Sequence, residues 1–285
     1  MRVARRMAVA ASLVAVLQGM AAWTAAQAEV PPVARVAPTP AEMEKFLLEA
    51  KVLKSRAAGS GTTGTLRLTL SDGTVTHDAQ AHFIEVEQAI YRVQGYTEFN
   101  FRDCFCFNIA AYKLAVLLGI DNVPMSVERR VNGKPAAVTW WVDDVAMTEE
   151  ARRKTAAADP NPQRFAHYQY RQRVFDELIQ NRDRNQGNTL YTKDWMTWMI
   201  DHTRAFRLNK DVGKPDELIR VERTLYDNMK KLTAASLAEA VGNQLRKAEV
   251  EALIARRDAI IKVFDARIAK SGEAAVLYTY PSPQP

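Results

Sequence analysis

Asn181–His202 reads NRDRNQGNTLYTKDWMTWMIDH, with three acidic residues, two arginines and three asparagines in one short run. Ahead of it, YQYRQRVFDELIQN (168–181) sets Val174, Phe175, Leu178 and Ile179 on one stripe at helical spacing. Behind it, Lys193-Asp194 marks a turn and WMTWMID a strand. Asp183 and Asn188 therefore stand five positions apart between a helix and a strand. Asp201 ends the next strand of the same hairpin, thirteen positions beyond Asn188. Phosphoryl transfer needs an acid beside the attacking hydroxyl and oxygen ligands that hold a divalent cation against the phosphates. An Asp-x-x-x-x-Asn pair with an aspartate arriving from the next hairpin supplies both. The pair alone reads as a polar turn capping its own backbone. The amphipathic helix before it and Asp201 after it favour chemistry.

Working outward, EVPPVARVAPTP opens a proline-rich linker (29–45) that runs into a helix over 41–53, with Met43, Phe46, Leu47 and Leu53 on its apolar side. Leu66, Leu68 and Leu70 alternate with polar residues, Ser71-Asp72-Gly73 turns the chain, and 74–86 is the return strand. DCFCFNIAAYKLAVLLG (103–119) is a strong helix closed by Gly119. Two further strands flank the Asn132-Gly133-Lys134 turn, and Val250, Leu253, Ile254, Ile261, Phe264 and Ile268 keep helix spacing near the C-terminus. The order predicts an α+β protein of two lobes: a β-rich N-lobe over 46–145 with one long helix, and a mostly helical C-lobe over 146–285.

Residues 1–28 read as a signal peptide, with a basic MRVARR start, an apolar MAVAASLVAVL core and Ala26-Gln27-Ala28 at the cleavage positions. Its removal takes away Arg2, Arg5 and Arg6 and no acid, so the formal charge falls from +6 to +3. The expectation is a periplasmic or secreted protein with no stable membrane span after cleavage. No lysine/arginine stripe interleaved with aromatics is present, which argues against nucleic-acid binding. Cys104 and Cys106 stand one residue apart. A disulfide across so short a span suggests strain, and the pair is expected to be free and buried.

VFDELIQNRDRNQGNTLYTKDWMTWMIDHTRAF, with NIAAYKLAVLLGIDNVPMSVERRV and TWWVDD, resembles the atypical kinases related to phosphatidylinositol 3-/4-kinases. HipA-like kinases and the secretory-pathway casein kinases share the pattern, and an uncharacterised bacterial branch looks closest. The resemblance spans roughly residues 60–265 and implies a two-lobed protein-kinase-like fold. It implies ATP with Mg²⁺ or Mn²⁺ as cofactors, Asp183 as the catalytic aspartate, and Asn188 and Asp201 as metal ligands. Arg184, His202 and Arg204 would be structural or phosphate-facing neighbours, Arg184 being assigned to the cofactor. Gly59, Gly61 and Gly64 form a G-x-G-x-x-G followed by a strand, which suits a phosphate-covering loop. Such kinases grip the α- and β-phosphates with a strand lysine paired to a helix glutamate. No lysine lies between Lys54 and Lys113; the strand offers His77, Gln80 and His82, and the helix position holds Asn108. Two functions follow. One is an exported phosphotransferase acting on a protein or small hydroxylated molecule. The other is a pseudokinase-type binding module, favoured by the missing pair and by the absence of a maintained ATP pool in the periplasm.

Overall fold

The computed structural model describes residues 38–58, 64–93 and 95–279; the signal-type segment and most of the linker lie outside them. The first helix, α1 (Pro40–Glu49), takes up the end of the linker stretch. Thr39 and Glu42 form a reciprocal capping box, and Pro40 sits where a helix needs no N–H donor. The helix ends four residues before Leu53, the end expected from sequence. Phe46 and Leu47 are its buried residues, whereas Val52 and Leu53 are exposed. No apolar stripe extends the helix, so Lys51–Ala57 instead forms β1, an edge strand paired with β2 (Leu66–Ser71).

The turn at Ser71–Val75 is held by the Asp72 carboxylate, which accepts from the Thr74 and Val75 N–H groups. The return strand β3 (Thr76–His82) is shorter than expected, and the chain then makes a separate hairpin from β4 (Glu85–Val93) and β5 (Tyr96–Cys104). After α2 (Cys106–Leu118), closed by Gly119 in the left-handed region, come β6 (Ser126–Val131) and β7 (Lys134–Trp140). The main sheet runs β1-β2-β3-β7-β6 with every pairing antiparallel. Trp140 stacks on His77, while Trp141 lies under the Arg67 guanidinium.

Cys104 and Cys106 are joined in a disulfide, correcting the expectation of free thiols. Phe105 turns the chain in helical geometry between β5 and α2. The two Cα atoms thereby approach to 5.1 Å, within the ordinary range for a bridge.

The second half begins with β8 (Val145–Thr148), α3 (Glu149–Thr155) and α4 (Pro162–Ile179). The strands β9 (Thr189–Thr192) and β10 (Thr197–Met199) form the expected hairpin, and β8 adds a third strand to it. Then follow β11 (Val221–Glu222), α5 (Arg223–Lys231), α6 (Ala234–Val241), α7 (Lys247–Ser271) and β12 (Leu277–Tyr278), which pairs parallel to β11. Among the described residues no helix is long and apolar enough to cross a membrane.

Two apolar clusters organise these layers. Phe46, Leu47, Leu68, Leu70, Val127 and Val138 fill the space between α1 and the main sheet. The larger cluster joins Phe107, Ile109 and Leu114 of α2 to Val174, Phe175 and Leu178 of α4 and to Leu225 and Leu253. Tyr112 packs against both. The helix α2 thus belongs by packing to the helical half, while its first turn faces β3. That placement brings a strand, a helix and the Asp183 loop together.

Candidate active site

The helix α4 stops at Gln180, which adopts left-handed geometry and donates its N–H back to the last helical carbonyls. The chain then enters a tight loop. The Asp183 N–H donates to Asn181 Oδ1 at 3.1 Å, and the Asn188 N–H to the Asn185 carbonyl at 3.1 Å. Asn188 is buried, and its Nδ2 donates to the Asp183 backbone carbonyl at 3.2 Å. This bond fixes the amide and leaves Oδ1 as the atom suited to a cation. Asp201 follows β10, and the Ile200 N–H donates to the Asn188 carbonyl at 3.1 Å. The backbone of Asp201 has φ +56°, a left-handed value that aspartate tolerates better than most residues. Thr203 Oγ1 donates to the Asp201 carboxylate at 3.2 Å.

One side chain clamps this geometry. Arg184 makes a two-pronged ion pair with Asp176 of α4. Its Nη1 donates to the Asn188 carbonyl at 2.8 Å and to the Ile200 carbonyl at 2.6 Å. Its Nη2 lies 2.9 Å from His202 Nε2. The residue assigned to the cofactor therefore faces inward. Its donors hold together the two strands that carry Asn188 and Asp201, so it is a positioning residue and not a phosphate-facing one.

The electrostatics centre on Asp183. Burial raises its carboxyl above the ordinary aspartate range; Arg204 opposes the rise, and the charges of Asp201 and Asp103 add to it. Asp103, at the end of β5, is a carboxylate that sequence reasoning missed. It is 3% exposed and accepts from Arg204 Nε at 2.7 Å. Asp103 and Asp183 both face the Arg204 guanidinium, at 2.7 and 3.5 Å. Among the described residues no group of three or more histidine, cysteine, aspartate or glutamate side chains is placed as a metal cage. The donor set is hard oxygen, from the Asp201 carboxylate and the oriented Asn188 amide. It fits a Mg²⁺- or Mn²⁺-type ion that keeps water and phosphate oxygens as its other ligands.

Solved structures with the same arrangement of elements set this site in a wider frame. A hydra Fam20 protein solved with sugar superposes at a TM-score of 0.65 and 14% identity, over 85% of this chain and 92% of that one. The Golgi casein kinase matches at a TM-score of 0.56 and 13% identity, over 85% and 80% of the two chains. The same kinase with Mn/ADP bound matches at 0.57, with 13% identity and the same coverage. The fold is that of an atypical kinase. No protein-family model and no curated protein matches the sequence. At these identities the likeness is one of fold.

Across the strand–helix contact, His82 of β3 meets Asn108 of α2, with Asn108 Nδ2 3.2 Å from His82 Nδ1. Asn108 Oδ1 accepts from the His202 N–H at 2.8 Å, which fixes the orientation of its amide. His82 Nδ1 must then accept, and its other ring nitrogen, Nε2, lies 3.3 Å from Gln80 Nε2. Arg184 can only donate, so His202 Nε2 accepts and Nδ1 holds the proton. Burial lowers the pKa of His82, against the pull of Asp201 and Asp103. Burial, and secondarily Arg184, hold His202 well below the usual histidine range. A hydrogen-bonded chain, Gln80–His82–Asn108–His202–Arg184, therefore ties the main sheet to the Asp183 loop. The cavity it lines, closed by Thr139 and Asp201, holds only about 10 Å³. That is too small for a phosphate group.

Of the glycine motif, Gly59 and Gly61 lie outside the described residues. Gly64 stands just before β2 with φ +66° and open space around it. Asp183, Asn188 and Asp201 are thus placed by one loop and one hairpin. The sequence singled out Gln80, His82, Asn108, Arg184 and His202 without their mutual contacts, whereas Asp103 had no motif to announce it.

Proposed function

We propose that this chain is a metal-dependent phosphotransferase that moves the terminal phosphoryl group of ATP to a hydroxyl of a protein or small molecule. The observation that carries the reading is the joint placement of Asp183, Asn188 and Asp201 by hydrogen bonds that leave their oxygens to act. Asn188 Oδ1 and the Asp201 carboxylate would hold Mg²⁺ or Mn²⁺. When bound, that ion draws the phosphates into place and offsets the charge that develops on them. Asp183 orients the acceptor hydroxyl and receives its proton. The hydroxyl oxygen bonds to the terminal phosphorus as the bond to the bridging oxygen of the ADP leaving group breaks. A raised carboxyl pKa suits a group that must accept a proton during the reaction. The structures of the Golgi casein kinase with Mn/ADP and of hydra Fam20 with sugar support both the cofactor and a hydroxyl-bearing acceptor.

The relation to phosphatidylinositol 3-/4-kinases and HipA-like kinases, and an exported location, belong to the same proposal. A mature protein from its native host that begins near Glu29 would support export; one retaining Met1 would count against cleavage. A second reading, a pseudokinase-type binding module, is favoured by the uncharged His82–Asn108 contact. Incubating the purified protein with ATP and Mn²⁺ over a panel of peptides and sugars, with products weighed by mass spectrometry, separates the two. A gain of one phosphoryl mass that disappears in Asp183→Ala supports transfer. ADP formation without a phosphorylated product points to hydrolysis, and no product at all favours the binding module.

A further inference from the structure

The cation missing from the strand–helix end has a counterpart at the other end of the cleft. Arg204 lies three residues after Asp201. Its Nε donates to Asp103 Oδ2 at 2.7 Å, so a buried carboxylate anchors the guanidinium from behind. The other Asp103 oxygen makes no hydrogen bond, so the Arg204 contact is what compensates its charge. The guanidinium lies 6.0 Å from the centre of the Phe101 ring, which limits its swing. Its front is different. Nη1 stands 3.5 Å from Asp183 Oδ2, longer than a good charged hydrogen bond, and the side chain is 35% exposed. The guanidinium is anchored on one edge and available on the other.

The position of Arg204 selects which phosphate it meets. On the proposed function, Asp183 works where the acceptor hydroxyl approaches the terminal phosphate. A cation touching Asp183 therefore lies at that phosphate. The α- and β-phosphates would lie toward His82 and Asn108, whose cavity is lined by no cationic side chain among the described residues. Arg184 cannot serve, since Asp176, two backbone carbonyls and His202 occupy its donors.

We propose that Arg204 is a catalytic residue that binds the terminal phosphoryl group of the nucleotide, with Asp103 positioning it. Arg204 exchanges its loose contact with Asp183 for a two-pronged hold on the phosphoryl oxygens, the geometry at which arginine excels. The exchange frees Asp183 for the hydroxyl and places a fixed positive charge where negative charge gathers during transfer. No bond is made or broken by Arg204 itself.

The proposal rests on the function above, and one calorimetric series separates their failures. Binding of ADP and of an ATP analogue with an imido bridge between its β- and γ-phosphates, each with Mn²⁺, is measured for four proteins. These are the wild type, Arg204→Gln, Arg204→Lys and Asp201→Ala, each checked for fold by thermal melting. The wild type should bind the ATP analogue more tightly than ADP. Arg204→Gln should lose about tenfold in affinity for the analogue, with ADP unchanged. Arg204→Lys keeps the charge without the fork, so it should fall between, and it carries the comparison if the glutamine variant does not fold. Asp201→Ala should lose both ligands. Equal losses for analogue and ADP, or none in either variant, overturn the role of Arg204 and leave the proposed function standing. A wild type that binds neither nucleotide overturns both.

Discussion

The two ends of the cleft are built from opposite chemistry. At one end Asp103 and Asp183 flank the Arg204 guanidinium, partly open to solvent. At the other, Gln80, His82, Asn108 and His202 form a buried chain of neutral hydrogen bonds around a space too small for a phosphate. In a kinase the strand–helix contact has two jobs: it joins the sheet to the helix, and it grips phosphate. The relay retains the first without the charge that the second needs. On the proposed function, nucleotide affinity would then come from the metal end. Substitutions at the charged end should therefore remove chemistry without unfolding the protein, and substitutions in the relay should do the reverse.

The largest effect tests the charged end. Asp183→Asn should lower transfer by on the order of 10²–10⁴-fold with little change in melting temperature, because it removes only the proton acceptor. Steady-state rates and a melting curve on one preparation decide this; a large fall in melting temperature would place Asp183 in the scaffold instead. Next comes the relay. Asn108→Leu strands the His202 N–H and His82 Nδ1 in the interior and should cost about 2–3 kcal/mol in urea unfolding. Removing His82 as well, in His82→Leu/Asn108→Leu, should recover part of that loss. A single variant as stable as the wild type would show that the relay does not join the lobes.

A third comparison concerns Glu149, at the start of α3 beside the loop. Burial pushes its carboxyl up, but hydrogen bonds from Arg152, Arg153 and Tyr191 outweigh this and hold it at about 2, against 4.5 for the free group. A depressed carboxyl contributes stability that is complete above pH 4.5 and is lost as the pH falls toward 2. Glu149→Gln should cost about 1–2 kcal/mol at pH 7, allowing for the exposed Arg153, and the gap from wild type should close as the pH falls from 5 to about 2.5. A gap that does not change with pH would mean that the pairing contributes through shape alone. The smallest effect is expected at Lys193, whose ion pair with Asp144 is open to water on both sides, 74% and 68% exposed. Lys193→Ala should leave the urea-unfolding midpoint where the wild type has it.

The same contrast explains what could be read in advance. Asp183, Asn188 and Asp201 fall within one short run, and the apolar stripe of α4 and the turn at Lys193-Asp194 fix where that run folds. Local spacing, with the helix before the run and Asp201 after it, set the expectation that they face one another. Gln80, His82, Asn108 and His202 were each singled out, but their contacts join distant segments, and amides and imidazoles leave no charge pattern that pairs them. Arg184 carried a motif position but not its direction; only the placement of Asp176 and the two strand carbonyls turns it inward. The β4–β5 hairpin was illegible for another reason. Ile90 and Phe99 are 47% and 68% exposed, so apolar residues there do not mark a buried face. In β1, edge pairing with β2 took Val52 and Leu53 from the helix that their apolar character had suggested.

The central claim is that Asn188 and Asp201 hold a divalent cation on which nucleotide binding depends. A thermal-shift titration with ATP, run with Mn²⁺ and with a chelator, tests it most directly. The account predicts stabilisation by ATP with Mn²⁺, none with the chelator, and none in Asp201→Ala. Absence of any shift at millimolar nucleotide with Mn²⁺, or an equal shift in the chelator and in Asp201→Ala, would contradict it.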